Sequence, residues 1–367
     1  MKTSKFGKYS EITPLQLFFL TFLGQLGAGL LTLPRQVTAI AGQDGWISVI
    51  LATLLNMLAA AIIVKLAQRF KGLSLMEISQ KVFGKFLGYL ISISYIVYFF
   101  CCAAYVLMVS VSLVTVWILP GIPVYLIAGL YLLALVYLLR NGLKVMVRLY
   151  TLYFYHVVPL FLILSYPILR FEPRFVFPVG TKGLLAILKG IQAPLFAFLG
   201  FESILVFNPF ITEPEKAMLP VQAATALVGF LYTITVFGLT SYFGVGELQF
   251  QLWPTIYMAR TIEIVFLERL DIFTDIIWII VVFTTLAMYY YLLVLGLTRL
   301  LKIKDHKILT LCLIIPVYFF TALFNGVSRS EEFGKYVSLS GAFHAMILPV
   351  LIYIISYFRK IKGGNLN

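Results

Sequence analysis

Two apolar segments of this chain are interrupted where a membrane helix has its middle, and they open corresponding halves of the sequence. The first reads Leu26-Gly27-Ala28-Gly29-Leu30-Leu31-Thr32-Leu33-Pro34-Arg35. The second reads Gln192-Ala193-Pro194-Leu195-Phe196-Ala197-Phe198-Leu199-Gly200-Phe201-Glu202. A helix in lipid satisfies its own backbone groups, so a break frees amides and carbonyls where water is scarce. Such groups are tolerated only where they line a cavity or meet a ligand. Paired interruptions in the two halves of a membrane chain therefore point to a binding site near the bilayer midplane.

The rest of the chain leaves little room for another class. Hydrophobic residues make up 61% of it and charged residues 12%, outside the range of soluble proteins. Ten spans are expected near residues 14–40, 45–66, 86–117, 121–140, 149–169, 184–211, 219–244, 271–298, 308–325 and 337–358. The first carries Lys2, Lys5 and Lys8 ahead of it, as a signal peptide would, but its apolar run is too long and lacks a small-residue cleavage site. It reads as a retained helix.

The net charge of +13 raises nucleic acid as a partner, and its distribution argues against one. With the N-terminus inside, 19 of the 28 Lys and Arg residues fall on the cytoplasmic side and 9 outside. That is the positive-inside rule, with Arg140, Lys144, Arg148, Arg299, Lys302, Lys304 and Lys307 among the basic residues that set topology. Both termini are then cytoplasmic. Cys101, Cys102 and Cys312 have no metal-ligand spacing, and the three histidines are scattered. The chain carries neither a Gly-rich phosphate loop nor a His-Glu-x-x-His motif, so no cofactor or metal is expected and an enzyme is disfavoured.

Ten spans divide into five and five. Because five is odd, a second half built like the first enters the membrane from the opposite face, which is an inverted repeat. One integral membrane domain results, with repeats near residues 13–170 and 184–358. In each half the break lies in the first helix, and a long loop follows the second: Gln68 to Lys85 and Gly246 to Leu270. Both loops have amphipathic stretches, read as surface helices on opposite faces.

The opening Leu26 to Arg35, followed by Asp44-Gly45-Trp46, resembles the spore germination permeases, the B subunits of germinant receptors in endospore-forming bacteria. Phe198-Leu199-Gly200-Phe201-Glu202 resembles both that family and the wider amino acid/polyamine/organocation transporters. Trp253-Pro254-Thr255 and Glu268-Arg269-Leu270-Asp271 are similar to family features as well. The resemblance implies an all-α, LeuT-like fold with discontinuous helices 1 and 6, in the inner spore membrane or the bacterial cell membrane. It implies a small nutrient ligand, commonly an amino acid, and A and C subunits as partners. A proton- or sodium-coupled amino acid or amine permease, and a water or ion channel or scaffold, remain alternatives, because function lies in the site and not in the fold.

Candidate ligand-binding residues follow from the breaks. Gly27, Ala28, Gly29 and Leu30 would expose amides at the start of an outer half-helix and carbonyls at the end of an inner one, a pair suited to a zwitterion. The bland reading is a small-residue face for helix packing. Leu199 and Gly200 form the matching break, with Phe198 and Phe201 as lids on the ligand or as ordinary packing. Glu202, an acid at helix centre, costs about 2.5 kcal/mol or more on insertion scales and needs a partner. A substrate amine, a freed amide and Arg35 are the candidates.

Arg35 lies about 9 Å beyond Gly29 along the helix, where it would line an outer entrance, or else snorkel to the interface or pair with Asp44. Tyr98, Cys101, Cys102 and Tyr105 form one polar stripe on helix 3, and Thr284, Thr285 and Tyr289 another on helix 8. In the fold the chain resembles, these helices flank the broken pair, so the hydroxyls would line the pocket or bind sodium. Threonine bonding its own preceding turn is the alternative. The resemblance also makes His156, on helix 5, a stand-in for a coupling cation. A histidine bonded to a carbonyl is the simpler reading.

Overall fold

The computed structural model describes residues 11–27, 29–262, 270–324 and 326–363, and the expectations placed on Ala28, Glu268 and Arg269 lie outside them. The first broken segment is α1 (Pro14–Gln25) and α2 (Gly29–Ala41). α1 begins with a capping box, in which Thr13 Oγ1 accepts from Gln16 N–H and Gln16 Oε1 accepts from Thr13 N–H. Pro14 sits in its first turn, where a missing N–H is harmless. A short 3₁₀ turn leads to α3 (Gly45–Arg69), followed by α4 (Leu75–Phe83) and α5 (Lys85–Leu113). The first half closes with α6 (Val124–Arg140) and α7 (Leu143–Leu169).

The second broken segment comprises α8 (Gly183–Gly190), α9 (Gln192–Ala197) and α10 (Ser203–Phe207). Next come α11 (Met218–Phe250), kinked at Gly244, and the short α12 (Pro254–Arg260). α13 (Leu270–Leu300), α14 (His306–Cys312) and α15 (Ile314–Leu323) follow. α16 (Val327–Gly341) continues through a π-helical stretch, Ala342–Ile347, into α17 (Leu348–Phe358). Among the described residues seven helical stretches are long and apolar enough to cross a membrane, and Val124–Arg140 and Gly183–Ala197 are shorter apolar helices beside them. One of the seven, Gly29–Arg69, holds both the outer half of helix 1 and all of helix 2.

The broken segments lie inside the bundle. α1 packs on α11 and α7, while α2 packs on α11, α8 and α9; α5 runs along α13, and α3 along α11. Polarity is arranged as lipid demands. Leu54, Leu58, Leu130, Leu133 and Tyr137 are exposed, and Gln25, Asn56, Glu202 and Asn208 are buried. Close helix approach uses small residues, as at Gly229, where an added Cβ would lie 2.2 Å from Thr53 Cγ2.

The two interhelical loops do contain helices, α4 and α12; α4 buries Leu75, Met76, Ile78 and Val82 and exposes Lys81, whereas α12 does not simply lie on a surface. In α12 Pro254, Thr255, Ile256, Met258 and Ala259 are all buried, and Thr255 Oγ1 donates to Leu30 O at 2.8 Å. Its amphipathic pattern is overridden because it wedges against α2, α13 and α7 rather than facing a headgroup layer. At the opposite end the chain pairs Ile12 with the tail of the second broken segment. Ile12 N–H donates to Phe210 O at 2.7 Å, and Thr212 N–H donates to Ile12 O at 3.1 Å.

Candidate functional site

Both helices break where the sequence interrupts them. α1 ends at Gln25, and α2 starts at Gly29. α9 ends at Ala197, turns occupy 198–202, and α10 starts at Ser203. Gly200 has φ +136°, a conformation that L side chains rarely adopt, and an added Cβ there would stand 2.8 Å from Gly24 O. The unwound turn of helix 6 therefore touches the last turn of α1 backbone to backbone. Similarly, a Cβ on Gly29 would meet Ala197 Cα at 2.9 Å, and one on Gly27 would meet Thr285 Oγ1 at 2.8 Å. The glycines set the distance between the segments.

Above this contact lies a cavity of about 750 Å³. Its deep end is formed by Gly24, Gln25, Gly27, Gly29 and Ala197, and its walls by Cys102, Tyr105, Leu199, Thr285 and Tyr289. It runs up to Arg35, Glu331 and Lys335 at the face that the charge distribution assigns outside. Nothing from the inner half-helix α10 lines it, and Phe22, Leu23, Leu26 and Phe201 are fully buried beneath. On that assignment the cavity opens outward.

Of the residues expected at the ligand, Gly27, Gly29, Leu199, Cys102, Thr285 and Tyr289 are on the cavity wall, and so is Arg35 at the mouth. Leu30, Phe198, Gly200, Phe201, Glu202 and Thr284 are not among its lining. Phe198 is fully buried with its ring 5.0 Å from that of Tyr232, and Phe201 is fully buried too, so both pack rather than lid; Phe196 lines the cavity instead. Thr284 Oγ1 donates to Val281 O at 2.7 Å, the intrahelical alternative. His156 is exposed, its Nδ1 3.0 Å from Leu152 O, on a part of α7 that faces away from the cavity.

Glu202 has found partners within the protein. Tyr98 OH donates to its Oε1 at 2.8 Å, Tyr289 OH to the same oxygen at 3.1 Å, and Gly200 N–H to Oε2 at 2.8 Å. The freed amide is thus a partner, and Arg35 is not. Arg35 pairs across the cavity mouth with Glu331 at 3.3 Å, while Asp44 accepts from Gly180 N–H at 3.0 Å. Behind Tyr98 the ring of His344 stacks in parallel at 4.8 Å. Since Tyr289 also lines the cavity, its ring joins the cavity to the carboxylate that accepts from the Gly200 amide at the helix 6 break.

Several site residues carried no separate signal. Tyr232 OH shares its proton between Gln25 O at 2.7 Å and Ala197 O at 3.1 Å, tying together the C-terminal ends of the half-helices α1 and α9 at the break. Glu331, Tyr232 and His344 look like ordinary residues of their helices in the sequence. Gln25 is different, because a glutamine just before a break in an apolar run is the same warning that Glu202 gives.

A family pattern described as "Spore germination protein" matches residues 11–329. Spore germination protein YndE of Bacillus subtilis (strain 168) is 30% identical over 359 residues, covering 97% of this chain and 99% of that protein. Spore germination protein GerQB of Bacillus cereus is 25% identical, over 93% of this chain and 94% of its own length. Among solved structures, MhsT in complex with L-phenylalanine superposes with a TM-score of 0.67 at 12% identity, covering 97% of this chain and 91% of that one. That likeness establishes the fold as the all-α, LeuT-like arrangement with discontinuous helices 1 and 6. With sequence and fold agreeing over nearly its whole length, the chain belongs to the spore germination protein family and is a permease-like, multi-pass integral membrane protein.

Proposed function

We propose that this chain is the membrane subunit of a spore germinant receptor, and that it binds a small nutrient, an amino acid, between the breaks of helices 1 and 6. The observation that carries the reading is the outward-opening cavity where both unwound segments meet. The first turn of α2 faces it at Gly29, offering amide donors to a carboxylate, and α1 ends beside it at Gln25, offering a partial negative charge to an ammonium. The N-terminus of α10 offers no comparable place, since Glu202 already accepts from Gly200 N–H there. An amino acid is also the ligand class named for MhsT, which shares the fold. A and C subunits complete the receptor in this reading, following the family's pattern. Repeat boundaries near 13–170 and 184–358 belong to the same proposal.

The experiment is deletion of the gene, followed by germination assays with single amino acids. Loss of response to one nutrient or a small group of them supports the reading, and an unchanged response to every nutrient overturns it. Uptake into vesicles containing the purified chain separates sensing from transport. Accumulation of a labelled amino acid against its gradient would make the protein a working permease.

A further inference from the structure

We propose that Gln25 is the acceptor for the ligand's ammonium group, its amide locked in orientation by a hydrogen-bond relay through Thr225. The inference rests on the reading of the cavity as the ligand site. Gln25 is 1% exposed and lines the deep end of the cavity. Its Nε2 donates to Thr225 Oγ1 at 3.2 Å, and Thr225 Oγ1 donates its own proton to Val221 O at 3.0 Å. A hydroxyl has one proton. With that proton on Val221 O, Thr225 acts only as an acceptor toward Gln25. A flipped amide would face Thr225 with an oxygen and would have to draw the hydroxyl proton away from Val221 O. The relay therefore turns the NH₂ toward Thr225 and leaves Oε1 as the free end.

Oε1 is buried and has no hydrogen-bond partner among the described residues. Three hydroxyls at the break and on the cavity wall are committed elsewhere. Tyr232 OH bonds Gln25 O and Ala197 O, Thr285 Oγ1 bonds Leu23 O at 3.3 Å, and Tyr289 OH bonds Glu202. What remains at the deep end is acceptor capacity: the unpartnered Gln25 Oε1, beside the carbonyl ends of α1 and α9 that share the Tyr232 proton. The positive charges on the cavity wall, Arg35 and Lys335, are at its mouth, where Arg35 pairs with Glu331. Apart from the α2 amides that face the carboxylate, this acceptor set selects a ligand that brings donors, and an ammonium brings three together with a complementary charge. An unpaired buried acceptor also discriminates against an analogue with fewer donors.

The test uses the purified full chain in detergent. Its probes are L-alanine, L-valine, L-leucine and L-phenylalanine, each with the 2-hydroxy acid and the primary amine of the same side chain. Wild type is expected to bind an amino acid at least about tenfold more tightly than its hydroxy acid, the range for a charge-assisted hydrogen bond. Gln25→Leu should lose about tenfold or more in amino acid affinity and little for the hydroxy acid, collapsing the ratio. Thr225→Val frees the amide to flip and should narrow the ratio severalfold, while Gln25→Glu keeps an acceptor and should retain it. Gel filtration and thermal melting confirm that each variant is folded. An unchanged ratio in folded Gln25→Leu overturns the proposal. Ala193→Phe, which fills the cavity wall, separates the two claims: if it leaves amino acid binding intact the cavity reading fails, and if it abolishes binding while Gln25→Leu changes nothing, only the Gln25 inference fails. Absence of binding by every probe to wild type overturns both.

Discussion

At the scale of single residues, Glu202 and Arg35 show how a membrane protein accommodates charge in two ways. Glu202 is fully buried and satisfied by three donors, so each substitution has a different consequence. Glu202→Gln keeps one acceptor oxygen and turns an NH₂ toward a donor, which should cost about 1–3 kcal/mol. Glu202→Leu strands two tyrosine hydroxyls and an amide, and should cost about 3 kcal/mol or more, with loss of nutrient response. Thermal unfolding in detergent and germination dose curves measure both. A fully functional, normally stable Glu202→Leu protein would remove Glu202 from the account of the helix 6 break. Arg35 and Glu331 are different, with side chains 33% and 43% exposed. A pair that open to solvent contributes about 1 kcal/mol at most. Glu331→Gln should leave the melting temperature nearly unchanged and shift the nutrient concentration for half response, since it removes a bridge across the cavity mouth. A shift in melting without one in dose would show the pair to be structural.

Among the elements, the broken helices matter most, and their glycines have two separate jobs. Gly200 is not on the cavity wall; it holds a positive φ and meets Gly24 backbone. Gly200→Ala should therefore damage assembly before it damages ligand specificity, which a drop in membrane-inserted, protease-resistant protein would record. Gly29 lines the cavity but also abuts Ala197, so Gly29→Leu should force α2 from α9 and reduce both stability and response. Normal stability with no response would mean that the leucine had been accommodated in the cavity alone. The wedge helix α12 holds α2 through Thr255 and Leu30. Thr255→Val should weaken that support by about 1 kcal/mol, seen as a lower melting temperature, with a smaller effect on nutrient preference.

For the whole molecule, the expected orientation follows from 19 basic residues on one side and 9 on the other. Single cysteines placed at Glu331 and at Lys304, both exposed, test it in a chain whose native cysteines are replaced. An impermeant thiol reagent added outside should label the first and spare the second. The reverse pattern would invert the molecule and turn the cavity mouth toward the cytoplasm. The cavity mouth, the fully buried layer beneath it and the tie between Ile12 and Phe210 describe a protein open at one end and closed at the other, the closed end being the inner one on the expected orientation.

Span positions, the two breaks and the inverted-repeat layout were legible in the sequence because each is written locally. Hydropathy sums over some twenty neighbours, and a glycine or proline interrupts a helix wherever it stands. The acid at Glu202 announced a need for partners for the same reason, but not which ones. Its partner Tyr98 lies 104 residues away, Thr225 lies 200 from Gln25, and Glu331 lies 296 from Arg35. No periodicity encodes such pairings. They are chosen by how ten apolar segments pack, and packing among lipid-like side chains is decided by shape over the whole bundle. Only the tertiary structure, accordingly, turned Phe198 and Phe201 into the core, set Thr284 against its own helix, left His156 facing outward and placed Gln25 at the bottom of the cavity.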